Sequence, residues 1–208
     1  HESRGVFFDL DDGAGEASDQ VALTVERPSA LVVLVPPGSE WAYLDDGSDQ
    51  GLAWRALDFD ASAWAVGPAQ LGYGDGDEAT RVSYGPDSGN KHITTYFRRF
   101  FEIPPGAAIT GLKLQLLRDD GAVVYLNGNE VLRSNMPQGE IGYRTEADLT
   151  VFGPNETTFF ESDTDAAHLV AGSNLIAVEL HQDSPGDGDL SFDLELGARV
   201  SASNQQPI

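Results

Sequence analysis

The sequence predicts an all-β chain folded as a two-sheet antiparallel β-sandwich of the jelly-roll kind. Three observations predict it. Apolar residues recur at every second position over short runs, the spacers between runs are rich in Gly, Pro, Asp and Asn, and helical periodicity is nearly absent. Six runs read as strands, at 30–35, 93–103, 110–117, 123–126, 175–180 and 190–200. A seventh, Ser39-Glu40-Trp41-Ala42-Tyr43, reads the same way.

The pattern justifies each strand in turn. Leu112, Leu114 and Leu116 share one face against Lys113 and Gln115. Phe192, Leu194 and Leu196 do the same against Ser191, Asp193 and Glu195. Such alternation belongs to antiparallel strands with one buried and one wet face. Single helical turns are expected only near 60–64 and 165–169. The stretch Arg118-Asp119-Asp120-Gly121 through Asn127-Gly128 reads as a strand end, a paired-carboxylate turn, a second strand and an Asn-Gly hairpin turn. Trp41, Trp54 and Trp64 are expected in the core, where Trp is usually found.

Residues 1–30 are read as an N-terminal extension or the end of a preceding domain, residues 31–200 as the sandwich, and residues 201–208 as a flexible tail. The chain is read as a domain cut from a longer exported protein, secreted or held at a cell surface.

Composition narrows the function. The 208 residues carry 12 basic and 34 acidic side chains, a formal net charge of -22. Nucleic acid and anionic membrane surfaces are excluded as partners, because both need clustered Lys and Arg. With no cysteine, disulfides and thiolate chemistry are ruled out. Catalysis finds no motif: Gly-x-Ser-x-Gly and His-Glu-x-x-His are both missing, and the four histidines are scattered. A terminal His1 alone does not make a copper site. No catalytic residue is assigned, and the chain is expected not to be an enzyme.

The acidic turns carry the positive signal. Adjacent Asp119 and Asp120 repel unless a cation, Arg118, Arg133 or turn amides face them. Asp75, Asp77 and Glu78 show the alternate-oxygen spacing of calcium loops, without a complete twelve-residue loop. Asp75, Asp77, Asp119 and Asp120 are therefore the candidate calcium ligands. Asp183, Asp187 and Asp189 form a third acidic loop. For a sugar, ring faces would come from Tyr73, Tyr84 or Tyr143, and polar contacts to hydroxyls from Asp75, Asn90, His92, Arg133 and Asn135. The same residues would serve a purely solvated or strand-capping role equally well.

Several segments together carry a resemblance. They are Gly38-Ser39-Glu40-Trp41-Ala42-Tyr43-Leu44-Asp45-Asp46-Gly47, Trp54-Arg55 with Asp58-Phe59-Asp60-Ala61-Ser62-Ala63-Trp64, Leu71-Gly72-Tyr73-Gly74-Asp75-Gly76-Asp77, Thr95-Tyr96-Phe97-Arg98-Arg99, the 119–128 hairpin and Gly172-Ser173-Asn174-Leu175-Ile176-Ala177-Val178-Glu179. With them, residues 34–200 resemble the galactose-binding-domain-like jelly rolls attached to bacterial secreted hydrolases and phosphoesterases. The Asp-Asp-Gly turn is similar to the calcium-holding turn of lectin-like PA14 domains. The resemblance implies a non-catalytic accessory module that binds a polysaccharide or oligosaccharide beside a catalytic domain of the same parent chain. A calcium-holding structural spacer or adhesive domain is the alternative, and a polysaccharide-active enzyme the more distant one.

Overall fold

The computed structural model describes residues 29–201. The expected extension, up to residue 28, and the tail from 202 lie outside the described residues.

Among the described residues, twelve strands form two six-stranded sheets. In chain order they are β1 (Ser29–Val35), β2 (Glu40–Leu44), β3 (Ala65–Pro68), β4 (Leu71–Tyr73), β5 (Thr80–Arg81), β6 (Thr94–Ile103), β7 (Ile109–Asp119), β8 (Gly121–Leu126), β9 (Asn129–Ser134), β10 (Phe160–Thr164), β11 (Gly172–His181) and β12 (Leu190–Ser201). The first sheet runs β10-β7-β12-β4-β5, with β1 also paired to β12. The second runs β3-β2-β6-β11-β8-β9. Every strand pair of the described residues is antiparallel except the short β4–β5 pair. The sandwich expected from alternation is the fold observed. Ser29 and Ala30, placed with the extension by sequence, pair with Ser201 and Val200 as strand.

The alternation does its expected work. Leu112, Leu114, Leu116, Phe192, Leu194 and Leu196 face Phe97, Val124, Leu126, Ile176 and Val178 across the sandwich. Phe192 of the first sheet stacks on Phe97 at 4.2 Å and meets Trp41 edge-on at 5.0 Å. Lys113 and Gln115 stay on the outer face, paired with Glu161 at 2.8 Å and Glu195 at 3.1 Å.

A second apolar layer covers the outer face of the β6–β11–β8 sheet. Trp54, Trp64, Met136 and Ala147 close over Tyr96, Val123, Tyr125, Leu175 and Ala177. The buried Arg98 ties this cover down, donating to Phe59 O at 3.0 Å and Ala56 O at 2.8 Å. All three tryptophans are core, as read from sequence. The segments 60–64 and 165–169 form turns, closed by Trp64 N–H to Ala61 O and Leu169 N–H to Ala166 O.

One local expectation changes. β7 and β8 pair with different neighbours, β7 with β12 and β8 with β11. Asp119-Asp120 is therefore no hairpin turn at a rim; it is the step by which the chain crosses from one sheet to the other, and both residues are fully buried. The Asn-Gly turn does close a hairpin: Asn127 (φ 49°) and Gly128 (φ 84°) join β8 to β9 in the two-residue geometry that needs positive φ twice.

Gly121, directly after the crossing, has no room for a side chain. A Cβ there would lie 2.5 Å from Met136 Sδ, 2.7 Å from Asn135 O and 2.8 Å from Ala147 Cβ. Gly121→Ala is expected to lower stability by about 1–3 kcal/mol through overpacking, read as a lower urea midpoint in EDTA. An unchanged midpoint would contradict this close packing.

Candidate functional site

Four separate stretches of chain bring carboxylates together at one end of the sandwich. Asp119 ends β7 and Asp120 follows it. Asp75 follows β4, Glu156 stands in the β9–β10 connection, and Asp183, Asp187 and Asp189 occupy the β11–β12 loop. Asp120, Asp183 and Asp187 place ligand oxygens within 4.8 Å of one another, and so do Asp75, Glu156 and Asp189. This arrangement could hold a metal ion. All donors are hard oxygens, the set preferred by calcium over soft or nitrogen-seeking metals.

The basin is held from beneath by amides. Val151 N–H donates to Asp120 Oδ1 at 2.6 Å and Asp183 N–H to Oδ2 at 2.7 Å, so Asp120 anchors two loops at once. Thr150 Oγ1 donates to Asp183, and Ser191 Oγ to Asp75 Oδ2 at 3.1 Å. Below, Gln182 donates to Tyr73 Oη and to Asp189 O, both at 2.8 Å. Lys91 donates to the carbonyls of Asp187 and Gly188, and its ammonium also lies over the Tyr73 and Tyr84 rings, fixing the third loop. Gly74 lets that loop approach closely, since a Cβ there would sit 2.4 Å from Asp189 Cβ.

Asp119 is the exception to this satisfaction. It is 0% exposed, and neither carboxylate oxygen has a hydrogen-bond partner among the described residues. Burial, then the charge of Asp120, pushes its carboxyl up to about 9. Burial and Asp120 likewise push Asp187 up to about 6, and Asp187 Oδ2 is buried without a partner. Asp75 and Asp189 are also raised, chiefly by burial. Arg118 forms no ion pair with the basin: it donates to Ser134 Oγ at 3.0 Å and lies over the Phe160 ring, and its charge acts on Asp119 and Asp120 only from a distance. A buried carboxylate without donors persists only if it is protonated or faces a cation.

The structure reassigns several residues singled out by sequence. Tyr73, read as a ring face for sugar, is 2% exposed and packs in the core, because β4 pairs with Leu190 and Phe192 of β12. Tyr84 packs edge-on against it at 5.2 Å. Arg133 is engaged by Glu130 on two nitrogens, each at 2.8 Å, and by the carbonyls of Pro137 and Gly139; it braces its own turn. Asn135 donates to Asp120 O at 3.1 Å and Leu149 O at 2.6 Å, so it too is structural. His92 bonds Asp45 O through Nδ1 at 3.0 Å and is wedged against Gly47 and Gly85. Asn90 is exposed on the turn begun by Asp87. Asp77 joins an exposed group with Asp75 and Glu78, but Glu78 already accepts from the amides of Asp75 and Gly76. Glu156 was not anticipated as a site residue. Its only local signal is the turn made by Gly153 and Pro154.

A second feature lies elsewhere. A shallow cleft of about 630 Å³ is lined by Gly47, Asp49, Gly142, Tyr143, Arg144 and Thr145. Beneath it runs a buried polar chain: Thr145 O meets His181 Nδ1 at 2.8 Å, His181 Nε2 lies 3.5 Å from Glu179, and Tyr125 Oη donates to Glu179 at 2.5 Å. Of the residues expected to meet a sugar, Tyr143 lines this cleft, half-buried, with the cation of Arg144 and the carboxylate of Asp49 beside it.

No family model matches the chain, and no curated protein matches it. Among solved structures it is similar to a β-glucuronidase from glycoside hydrolase family 2, at 17% identity and a TM-score of 0.52 over 84% of this chain and 18% of that one. A calcium-binding mutant of Bacteroides uniformis β-glucuronidase 2 matches at 15% identity and a TM-score of 0.50, over 82% of this chain and 18% of that one. A β-glycosidase from Bacteroides vulgatus matches at 15% identity and a TM-score of 0.49, over 80% and 20%. The likeness is one of fold, and the chain spans about a fifth of the length of these proteins.

Proposed function

We propose that the chain is a non-catalytic, carbohydrate-binding accessory module of a larger carbohydrate-active enzyme, with calcium holding its acidic end. The observation that carries the sugar reading is the cleft. It is lined by an aromatic side chain (Tyr143), a donor (Arg144) and an acceptor (Asp49), with Tyr143 packed against the outer apolar layer of the second sheet. That is the mixture a hydroxylated ring requires. The likeness in fold to a minor segment of much longer glycosidase chains fits a module that works beside a catalytic domain. Calcium follows from the basin, where Asp119 has no donor and every available ligand is oxygen. A module of this kind works outside the cytoplasm, secreted or at the cell surface, where weaker calcium sites stay filled. No described helix is long and apolar enough to cross a membrane.

The test is a glycan array in calcium-replete buffer, followed by titration of any hit. Water competes for every hydroxyl in so shallow a cleft, so dissociation constants of about 10 μM to about 1 mM are expected. Tyr143→Ala is expected to weaken binding about tenfold and, because the ring also packs against the outer apolar layer, to cost about 1–2 kcal/mol of stability, so binding is compared at a temperature where both proteins are folded. One observation favours the structural-spacer reading instead: Tyr73, Arg133 and Asn135 are all engaged in building the fold. An array that stays blank with calcium present, while calcium still stabilises the protein, would select the spacer.

A further inference from the structure

We propose that the acidic basin is a two-cation centre, in which Asp119 bridges two calcium ions held by separate carboxylate sets. The proposal rests on the calcium reading above and deepens it. The two sets, Asp120, Asp183 and Asp187 on one side and Asp75, Glu156 and Asp189 on the other, share no member. Each is compact enough for one ion, with ligand oxygens within 4.8 Å of one another.

Asp119 is the independent observation that joins them. It is fully buried, and both of its oxygens lack a donor. It directly precedes Asp120 of one set, and across the strands it pairs with Ser191, whose hydroxyl donates to Asp75 of the other. A carboxylate with two free oxygens between two acidic sets is placed to give one oxygen to each ion. Asp187 Oδ2, also buried and unpartnered, marks the first set a second time.

Charge leads to the same count. Seven carboxylates meet here: Asp75, Asp119, Asp120, Glu156, Asp183, Asp187 and Asp189. None takes part in the ion pairs of the described residues, which are Lys113–Glu161, Arg133–Glu130, His181–Glu179 and Arg199–Asp163. Lys91 gives its donors to backbone carbonyls. One divalent ion would leave a formal charge of about -5 around the two buried carboxylates Asp119 and Asp120, and two leave about -3, spread over the partly exposed residues of the rim. With Asp119 shared, each ion has four carboxylates, and carbonyls and water complete the six to eight oxygens calcium takes.

The experiment is equilibrium dialysis of the EDTA-stripped full chain against calcium, with bound metal measured per chain for the wild type, Glu156→Gln and Asp119→Asn. Two ions are expected for the wild type. Glu156→Gln keeps the oxygen that accepts from Gly153 N–H, so the turn survives, and one ion is expected. Asp119→Asn is expected to weaken both sites at least tenfold. One ion per wild-type chain, or two that Glu156→Gln leaves in place, overturns the two-cation centre while sparing the single-calcium reading. No bound calcium removes both.

Discussion

Calcium at about 1 mM, added to protein stripped with EDTA at neutral pH, is expected to raise the melting temperature by about 5–10 °C. An ion binding the folded state with a dissociation constant of about 10 μM stabilises it by about 2.7 kcal/mol at that concentration. A chain of this size gains about 2–4 °C per kcal/mol. Two variants separate the ion's contribution from that of the carboxylates themselves. Asp120 accepts two backbone amides, so Asp120→Ala strands both and is expected to cost about 1–3 kcal/mol for each, even in EDTA. Asp119 accepts nothing and, with its carboxyl pushed up to about 9, keeps its proton at neutral pH, so Asp119→Asn replaces one uncharged group with another and removes the cost of holding that proton. In EDTA that variant is expected to melt at or above the wild type, and in calcium below it. Melting curves that coincide with and without calcium would remove the ion from the account of this fold.

The contrast between these two aspartates also shows where reading the sequence stops. Strand identity was legible because Leu112, Leu114, Leu116 and Phe192, Leu194, Leu196 alternate with polar residues, and alternation is a local property. The Asn127-Gly128 turn was legible for the same reason: two consecutive positive φ values select those residues. The crossing at Asp119-Asp120 was not. A chain that turns back within a sheet and one that steps to the facing sheet show the same local pattern. Pairing with distant strands, β7 to β12 and β8 to β11, decides between them. Tyr73 illustrates the same limit. Beside Gly74-Asp75-Gly76 it reads as a loop platform, yet its pairing with Leu190 carries the ring inside. Asp75 and Asp120 fall in carboxylate groups compact enough for a metal ion, and that clustering was legible because adjacent or alternating carboxylates announce a local electrostatic problem. Glu156 announces locally only the turn it closes with Gly153, not a place in the basin. It joins the basin through the path of the long β9–β10 connection, which only the folded chain defines. Arg133 and Asn135 have the chemistry of sugar-binding residues, but unsatisfied carbonyls nearby claim their donors first.

The metal-free protein is expected to become more stable as the solution is acidified from about pH 8 to about pH 6, against the usual behaviour of salt-bridged acidic proteins. The sign follows from Asp119 and Asp187. Their folded-state values are raised to about 9 and about 6, whereas an unfolded Asp titrates near 3.9. Between those limits the folded chain binds protons that the unfolded chain does not. Stability therefore falls as pH rises, over a window reaching to about 9 for Asp119 and closing near 6 for Asp187. Calcium should invert the trend, because it competes for the same oxygens and requires them deprotonated, so its stabilisation grows with pH. Thermal melts at pH 6, 7 and 8, each in EDTA and in calcium, are thus expected to diverge: the EDTA series declines with pH while the gap between the two widens. A metal-free series that climbs from pH 6 to pH 8 would show that Asp119 has found a compensating donor in solution, and with it would go the reason for placing a cation beside this residue.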